Sequence, residues 1–312
     1  MRIVFMGTPD FSVPVLESLV NGGHEVVGVV TQPDKPKGRE KTMTMTPVKE
    51  KALKLGLAVY QPAKMREPEF VEVLKGLKPD IMVVVAFGQI LRKSVLEIPP
   101  LGCVNIHASL LPKYRGAAPI QWAIIDGEKE TGITTMMMDE GIDTGDILEK
   151  VIIPIEDDET GDSLHDKLSQ AGAKLIISTL NKVEQGTIIK TPQTEEGTCY
   201  AKMLTKVMGN IDWSMEATAI ERLVRGLNSW PCTYTKWNGK TLKIWKAKVI
   251  EQEYDGVCGE VVDTDKTKIL VKTKKGTLSL LELQPEGKKR MAVDAFLRGY
   301  PVKLHTIFGN SN

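Results

Sequence analysis

Residues 1–188 and 207–312 of this sequence predict two fold classes, an α/β domain and a small β-barrel, joined by a connector at 189–206. Three observations carry that prediction. In the first part, short and nearly uniform apolar runs alternate with segments of helical periodicity, the pattern of a mostly parallel sheet with helices on both faces. At Gly186 the texture changes: TIIKTPQTEEGTCYAKMLTK is polar, poorly periodic and broken by Pro192 and Gly197. Beyond residue 206 the chain is mainly short β-rich runs and tight turns. The class expected is a Rossmann-like α/β domain followed by an OB-like β-barrel.

Taken in order, RIVFMG (2–7) is the first strand and ends at Gly7. EVVGVV (25–30), AVYQ (58–61), DIMVVVAF (80–87) and CVNIHA (103–108) are the next four. FSVPVLESLVNGG and TPVKEKALKLG fit as helices between strands. TGITTMMMD (131–139) and DILEKVIIPI (146–155) are two further strands. A long amphipathic helix follows, opened by Thr160 and Asp162 and closed by Gly186. After the connector, MEATAIERLVRGLNSWP supplies one or two short helices. TYTKWNGKTLKIWKAKVI and GEVVDTDKTKILVKTKKGTLSLLEL then read as strands. Asn238-Gly239 between two β-rich runs predicts a type I′ hairpin.

Composition narrows the function classes. The chain's 312 residues, 42% hydrophobic and 26% charged, suit a soluble protein of two domains. The best apolar run, Ile81 to Gly88, falls far short of the ~20 residues that span a bilayer, so no membrane partner is expected. Pro9 and Asp10 interrupt any signal-peptide pattern. Cys103, Cys199, Cys232 and Cys258 form no C-x-x-C pair. Neither a metal site nor a disulfide framework is expected, and a reducing cytoplasm is the expected compartment. Residues 1–206 carry 24 Lys and Arg against 28 Asp and Glu, whereas residues 207–312 carry 17 against 12. The second part is therefore net basic, which points toward a polyanionic partner.

Two stretches resemble nucleotide sites superficially. GTPDFSV follows the first strand with one glycine, where a dinucleotide fingerprint needs three, so it is read as a rim-shaping loop. TQPDKPKGREKTMTMT (31–46) is long for an α/β connection and sets Lys35, Lys37, Arg39 and Lys41 at alternate positions. It is read either as a solvated flexible loop or as a basic loop that closes on phosphates.

CVNIHASLLPKYRGAAP holds the candidate chemistry. Residues i and i+2 of a strand share a face, so Asn105 and His107 are neighbours at a carboxyl end, where open parallel sheets place their sites. Val104 and Ile106 face the other way, toward the core. Downstream, MMMDEGIDTGD offers Asp139, Asp143 and Asp146 in a loop. An amide donor, an imidazole and a carboxylate suit acyl transfer to an amine. Asn105 can donate to the developing oxyanion, His107 can hold that oxyanion or move a proton, and Asp143 can support the imidazole and relay protons. With no Ser or Cys nucleophile paired to a base, direct attack is expected.

NIHASLLPKYRGAAPIQWA resembles the signature of the formyltetrahydrofolate-dependent formyltransferases. MRIVFMGTPDFSVPVL, TQPDKPKGR, VVVAFGQIL, GIDTGD, IDW, NSWP and LQPEGKK extend the likeness, along nearly the whole chain, to the branch that formylates charged initiator tRNA. The resemblance implies Asn105, His107 and Asp143 as the catalytic set. It implies that Ser109, Leu110, Leu111 and Pro112 contact the folate, and that Phe87, Gly88, Gln89, Ile90 and Leu91 line its pteridine pocket. It further implies 10-formyltetrahydrofolate as donor, no metal, and initiator methionyl-tRNA as partner. Lys35, Lys37, Arg39 and Lys41 would meet that tRNA, the barrel would bind it too, and the protein would be a monomer. Three alternatives stay open: a glycinamide ribonucleotide formyltransferase, a formyltransferase of 4-amino sugar nucleotides, and an RNA-binding module without catalysis.

Overall fold

The computed structural model describes residues 1–37 and 42–309. Two compact units make up the chain. The first takes Met1–Pro119, Glu130–Pro154 and His165–Ala201; the second takes Ile120–Lys129, Ile155–Leu164 and the residues from Lys202 onward.

Along the chain, β1 (Arg2–Gly7), α1 (Val13–Asn21) and β2 (Glu25–Val30) come first. A hairpin of β3 (Lys35–Lys37) and β4 (Thr42–Thr44) precedes α2 (Pro47–Lys54), β5 (Val59–Tyr60) and α3 (Pro68–Gly76). Next are β6 (Ile81–Val85), α4 (Lys93–Leu96), β7 (Cys103–His107), β8 (Arg115–Gly116) and α5 (Pro119–Asp126). Then come β9 (Glu130–Met137), β10 (Ile147–Pro154), α6 (Gly161–Glu184) and β11 (Tyr200–Ala201).

The main sheet runs β10-β9-β7-β6-β1-β2-β5. Its five strands from β7 to β5 are parallel; β9 runs antiparallel to β7 and β10 antiparallel to β9. β1 and β6 lie at its middle, and Ile3, Val4, Phe5, Met6, Ile81, Met82 and Val83 are wholly buried. Burial on both faces explains why these strands read as unbroken apolar runs rather than alternating ones. On one side, Val4, Met6, Val30, Met82 and Val84 pack with Leu74 of α3 and with Phe87 and Leu91.

The turn after β1 is built for close approach. A Cβ on Gly7 would stand 2.8 Å from Ser12 Cβ, so only glycine lets residues 10–12 fold back. Thr8 Oγ1 donates to Phe87 O (2.9 Å) and Ser12 Oγ to Val85 O (2.7 Å), tying the turn to the carboxyl end of β6.

The basic stretch at 31–46 is not read as ordered from sequence, yet β3 and β4 pair antiparallel. Threonines favour strand here, and Pro36 on a two-stranded ribbon costs no interior ladder bond. Between β10 and α6, Glu149 accepts hydrogen bonds from Thr179 (2.7 Å) and Ser178 (3.1 Å) and pairs with Lys182. Burial pushes this carboxyl up, but the bonds from Lys182, Thr179 and Ser178 outweigh it and hold the group below its ordinary 4.5.

The second unit's later part contains α7 (Ala217–Gly226), β12 (Thr233–Trp237), β13 (Lys240–Ile250), β14 (Val261–Thr264) and β15 (Ile269–Lys272). β16 (Thr277–Pro285), β17 (Met291–Ala292) and α8 (Val293–Gly299) complete it. Its antiparallel sheet runs β12-β13-β16-β15-β14, with β17 on β16. Leu242, Ile244, Leu278 and Leu280 gather with Ile220 and Val224 of α7 and Phe296 of α8 into one core. Asn238 (φ +49°) and Gly239 (φ +70°) join β12 to β13 as the type I′ turn expected of them. No helix among the described residues is long and apolar enough to cross a membrane.

Candidate active site

β7 carries two chemistries on its two faces. Val104 and Ile106 are buried as core, while Asn105 is half-buried and His107 buried on the other side. The chain then turns through Ser109–Tyr114, and Tyr114 (φ +60°) aims its carbonyl back at the imidazole. His107 Nε2 lies 2.8 Å from Tyr114 O. A carbonyl only accepts, so Nε2 bears the proton. In the neutral ring the lone pair is therefore on Nδ1.

Asp143 comes from the loop between β9 and β10 and sits at φ +55°. Its Oδ2 accepts the Gly116 N–H (2.8 Å) and lies 3.6 Å from His107 Nδ1. Its Oδ1 is 3.5 Å from Asn105 Nδ2, at the long limit of a hydrogen bond, so the amide keeps donor capacity. Asn105, His107 and Asp143 are thus brought together. Asp139 instead accepts from Thr144 Oγ1 (2.7 Å) and the Gly141 N–H (3.0 Å), bracing the same loop. Gly145 packs so tightly that a Cβ there would stand 1.7 Å from Met137 O.

The loop has a partner that sequence reasoning did not find. Gln193 Nε2 donates to both Asp143 O and Gly145 O, each at 2.8 Å. Gln193 Oε1 accepts from Arg115 Nε (3.1 Å) and Nη2 (3.0 Å). Arg115 is 2% exposed, and its Nη1 reaches Glu195 (3.3 Å). Residues 189–201, read in the sequence as connector, are docked on the first unit. Thr191 bridges Ile147, and β11 pairs in parallel with β8. Nothing periodic marks this stretch, so Gln193 carried no signal; an arginine beside glycine in KYRGAAP was the one visible hint.

The residues implied for folate fall into two groups. Ser109 and Leu111 turn into the fold. Ser109 Oγ donates to Lys113 O (2.6 Å), and Thr134 Oγ1 donates to Ser109 O (2.7 Å) and accepts the Leu111 N–H (3.1 Å). Lys150 Nζ donates to Leu111 O, and burial lowers its pKa. Leu110 and Pro112 stay half-buried. In the second segment, Phe87 and Leu91 belong to the core. Gln89 spends its amide on the Met65 N–H (2.9 Å) and Pro62 O (3.4 Å). What this segment presents outward is the Ile90 side chain and the main chain around Gly88 (φ +84°). Lys35 is exposed on β3, which Lys37 ends; Arg39 and Lys41 lie outside the described residues. Among the described residues, no group of three or more His, Cys, Asp or Glu is placed to hold a metal ion.

The family profile described as "Formyl transferase" matches residues 1–180, and "Formyl transferase, C-terminal domain" matches residues 203–301. A protein of Agathobacter rectalis named methionyl-tRNA formyltransferase is 56% identical over 308 residues, covering 99% of each chain. The chain belongs to the methionyl-tRNA formyltransferase family. A Clostridioides difficile member of that name is 48% identical over 309 residues, covering 99% of this chain and 100% of its own. Solved structures outside the methionyl-tRNA formyltransferases share the fold at lower identity. An N-formyltransferase from Helicobacter canadensis, in complex with folinic acid and dTDP-3-aminofucose, aligns at TM-score 0.68 and 18% identity, covering 93% of this chain and 100% of that one. HypX from Aquifex aeolicus, in complex with tetrahydrofolic acid, aligns at TM-score 0.65 and 20% identity, covering 100% of this chain and 51% of that one.

Proposed function

We propose that this chain transfers the formyl group of 10-formyltetrahydrofolate to the α-amine of methionine esterified to initiator tRNA. The observation that carries the chemistry is the meeting of Asn105, His107 and Asp143 within 3.6 Å at the carboxyl end of β7. The full-length identity to enzymes named for methionyl-tRNA supports this acceptor over a sugar nucleotide. The formyl donor is a substrate consumed at each turnover. The backbone around Gly88 and the half-buried Leu110 and Pro112 are the surfaces offered to it.

The chain's residues divide the work as follows. The neutral amine attacks the formyl carbon; a C–N bond forms and the carbonyl electron pair moves onto oxygen. Asn105 Nδ2, not fully engaged by Asp143, donates to that oxyanion. Neutral His107 has no proton to donate from Nδ1, so it takes the proton released by the attacking nitrogen, directly or through water. The protonated ring then lies between Asp143 Oδ2 and Tyr114 O. Collapse of the oxyanion breaks the bond to the donor nitrogen, and the same proton passes to that leaving nitrogen. His107 is accordingly a proton carrier first and an oxyanion donor only when protonated. The enzyme works as a cytoplasmic monomer without a metal.

The test is formylation of charged initiator tRNA, glycinamide ribonucleotide and a 4-amino sugar nucleotide side by side. Turnover is expected on the tRNA at least about a hundredfold above the others, a discrimination of about 2.7 kcal/mol. Preferred turnover of the sugar nucleotide would overturn the acceptor, and turnover of none would overturn the reaction.

A further inference from the structure

We infer that Gln193, oriented by Arg115, is a positioning residue for Asp143, and so for the proton transfer at His107. The inference rests on the reaction proposed above and adds two residues to it. Asp143 is carried on a loop whose backbone it holds in a left-handed conformation, φ +55°, which non-glycine residues adopt only when something maintains it. Gln193 supports it from outside the loop, beside the Asp139–Thr144 bond within it. One amide group donates to the carbonyls on both sides of Thr144, at Asp143 and Gly145. The orientation of that amide is not free. Arg115 presents two donors to Oε1, and the loop presents two acceptors to Nε2. Turning the amide over would set donors against donors and oxygen against oxygen, so one arrangement alone satisfies all four contacts. Arg115 is itself buried and held by Glu195 and by the pairing of β8 with β11. The next residue, Gly116, donates its N–H to Asp143 Oδ2. The Arg115–Gly116 pair therefore grips the catalytic loop twice, once at the carboxylate directly and once at the backbone through Gln193. Release of the second grip leaves the carboxylate held by the Gly116 N–H and the long contact with Asn105, free to drift from its 3.6 Å approach to His107.

Gln193→Met keeps the side chain's length and removes all four hydrogen bonds. It is expected to lower kcat by about tenfold or more while KM for the formyl donor changes less than about twofold. The deciding measurement is a cycle with Asp143→Asn. If Gln193 acts through Asp143, adding Gln193→Met to Asp143→Asn costs little further activity. Additive losses, or an unchanged kcat in the single variant, overturn the inference. A readout independent of turnover is the Gly116 amide proton, which should shift and exchange faster in Gln193→Met; an unmoved signal also overturns it. Were the methionine variant to misfold, Gln193→Glu retains the contact with Arg115 as an ion pair and turns oxygen toward both carbonyls. The same cycle and amide readout apply to it. Wild-type turnover on the three acceptors tests the reaction separately, so failure of that reading and failure of this one are distinguishable.

Discussion

Asn105 offers the clearest substitution. Its amide hydrogens are only loosely engaged, and apolar Val104 and Ile106 fix the strand that aims them. Asn105→Ala should lower kcat by about a hundredfold, or roughly 3 kcal/mol, with folate affinity nearly intact; unchanged turnover in steady-state assays would make the residue structural. Two residues earlier on the same strand, Cys103 is buried, which pushes its thiol up to about 12. Cys232 is likewise pushed up, to about 11, whereas Cys258 is exposed. A thiol reagent near pH 8 should therefore label Cys258 and leave Cys103 and Cys232 unmodified in the folded protein, a pattern readable by mass spectrometry. The pairing of Asn105 with His107 was legible because the period of a strand is two. Gln193 was not, because its partners are main-chain carbonyls fifty residues earlier, and a sequence shows side chains rather than where carbonyls point. At 87–91, likewise, the core packing of Phe87 and Leu91 and the bonds of Gln89 to the turn at Pro62–Met65 leave no mark in the sequence.

At the scale of elements, the seven strands of the main sheet and α6 were legible to within one or two residues because burial writes itself as apolar runs, whereas the two-residue β8 and β11 were not. The β3–β4 hairpin was not, since three-residue strands rich in Lys, Pro and Thr lack periodicity. The loop of Asp143 tests how tightly an element can be specified. A Cβ at Gly145 would stand 1.7 Å from a backbone carbonyl, which cannot retreat as a flexible side chain can. Gly145→Ala should cost roughly 1–3 kcal/mol or more and take activity with it, whereas Gly186→Ala, with nothing within 4 Å, meets only the strain of its φ of +67°. Equal melting temperatures for the two variants would refute the distinction. The β10–α6 contact adds a pH dependence. Glu149 has a folded pKa below its ordinary 4.5, so it stabilises the fold above the unfolded value and loses that contribution as pH falls through the lower, folded one. Glu149→Gln should melt below wild type at neutral pH, by the roughly 1–3 kcal/mol of hydrogen bonds to a charged group. Thermal melts at stepped pH should show that gap closing below about pH 4.5; a gap constant down to pH 3 would assign the loss to packing.

Across the whole molecule, charge is divided: residues 207–312 carry five more basic than acidic groups while the rest is net acidic. Within the second unit, Lys243 and Arg290 lie over Trp245, at 5.7 and 4.9 Å from the ring, as cation–π contacts. In the first unit, exposed Lys35 stands on a hairpin whose base is held by the Lys49–Asp34 pair at 2.6 Å. If both regions meet phosphates of one polyanion, kcat/KM for charged tRNA must fall linearly on a log–log plot against salt, with a slope set by the phosphates neutralised. Lys35→Ala and Lys37→Ala should each flatten that slope by somewhat under 1, about 0.9 for a duplex contact, and leave the KM for folate unchanged. Arg39→Ala should weaken productive use of tRNA by the same route. A slope identical to wild type in the lysine variants would make the hairpin an ordinary solvated surface.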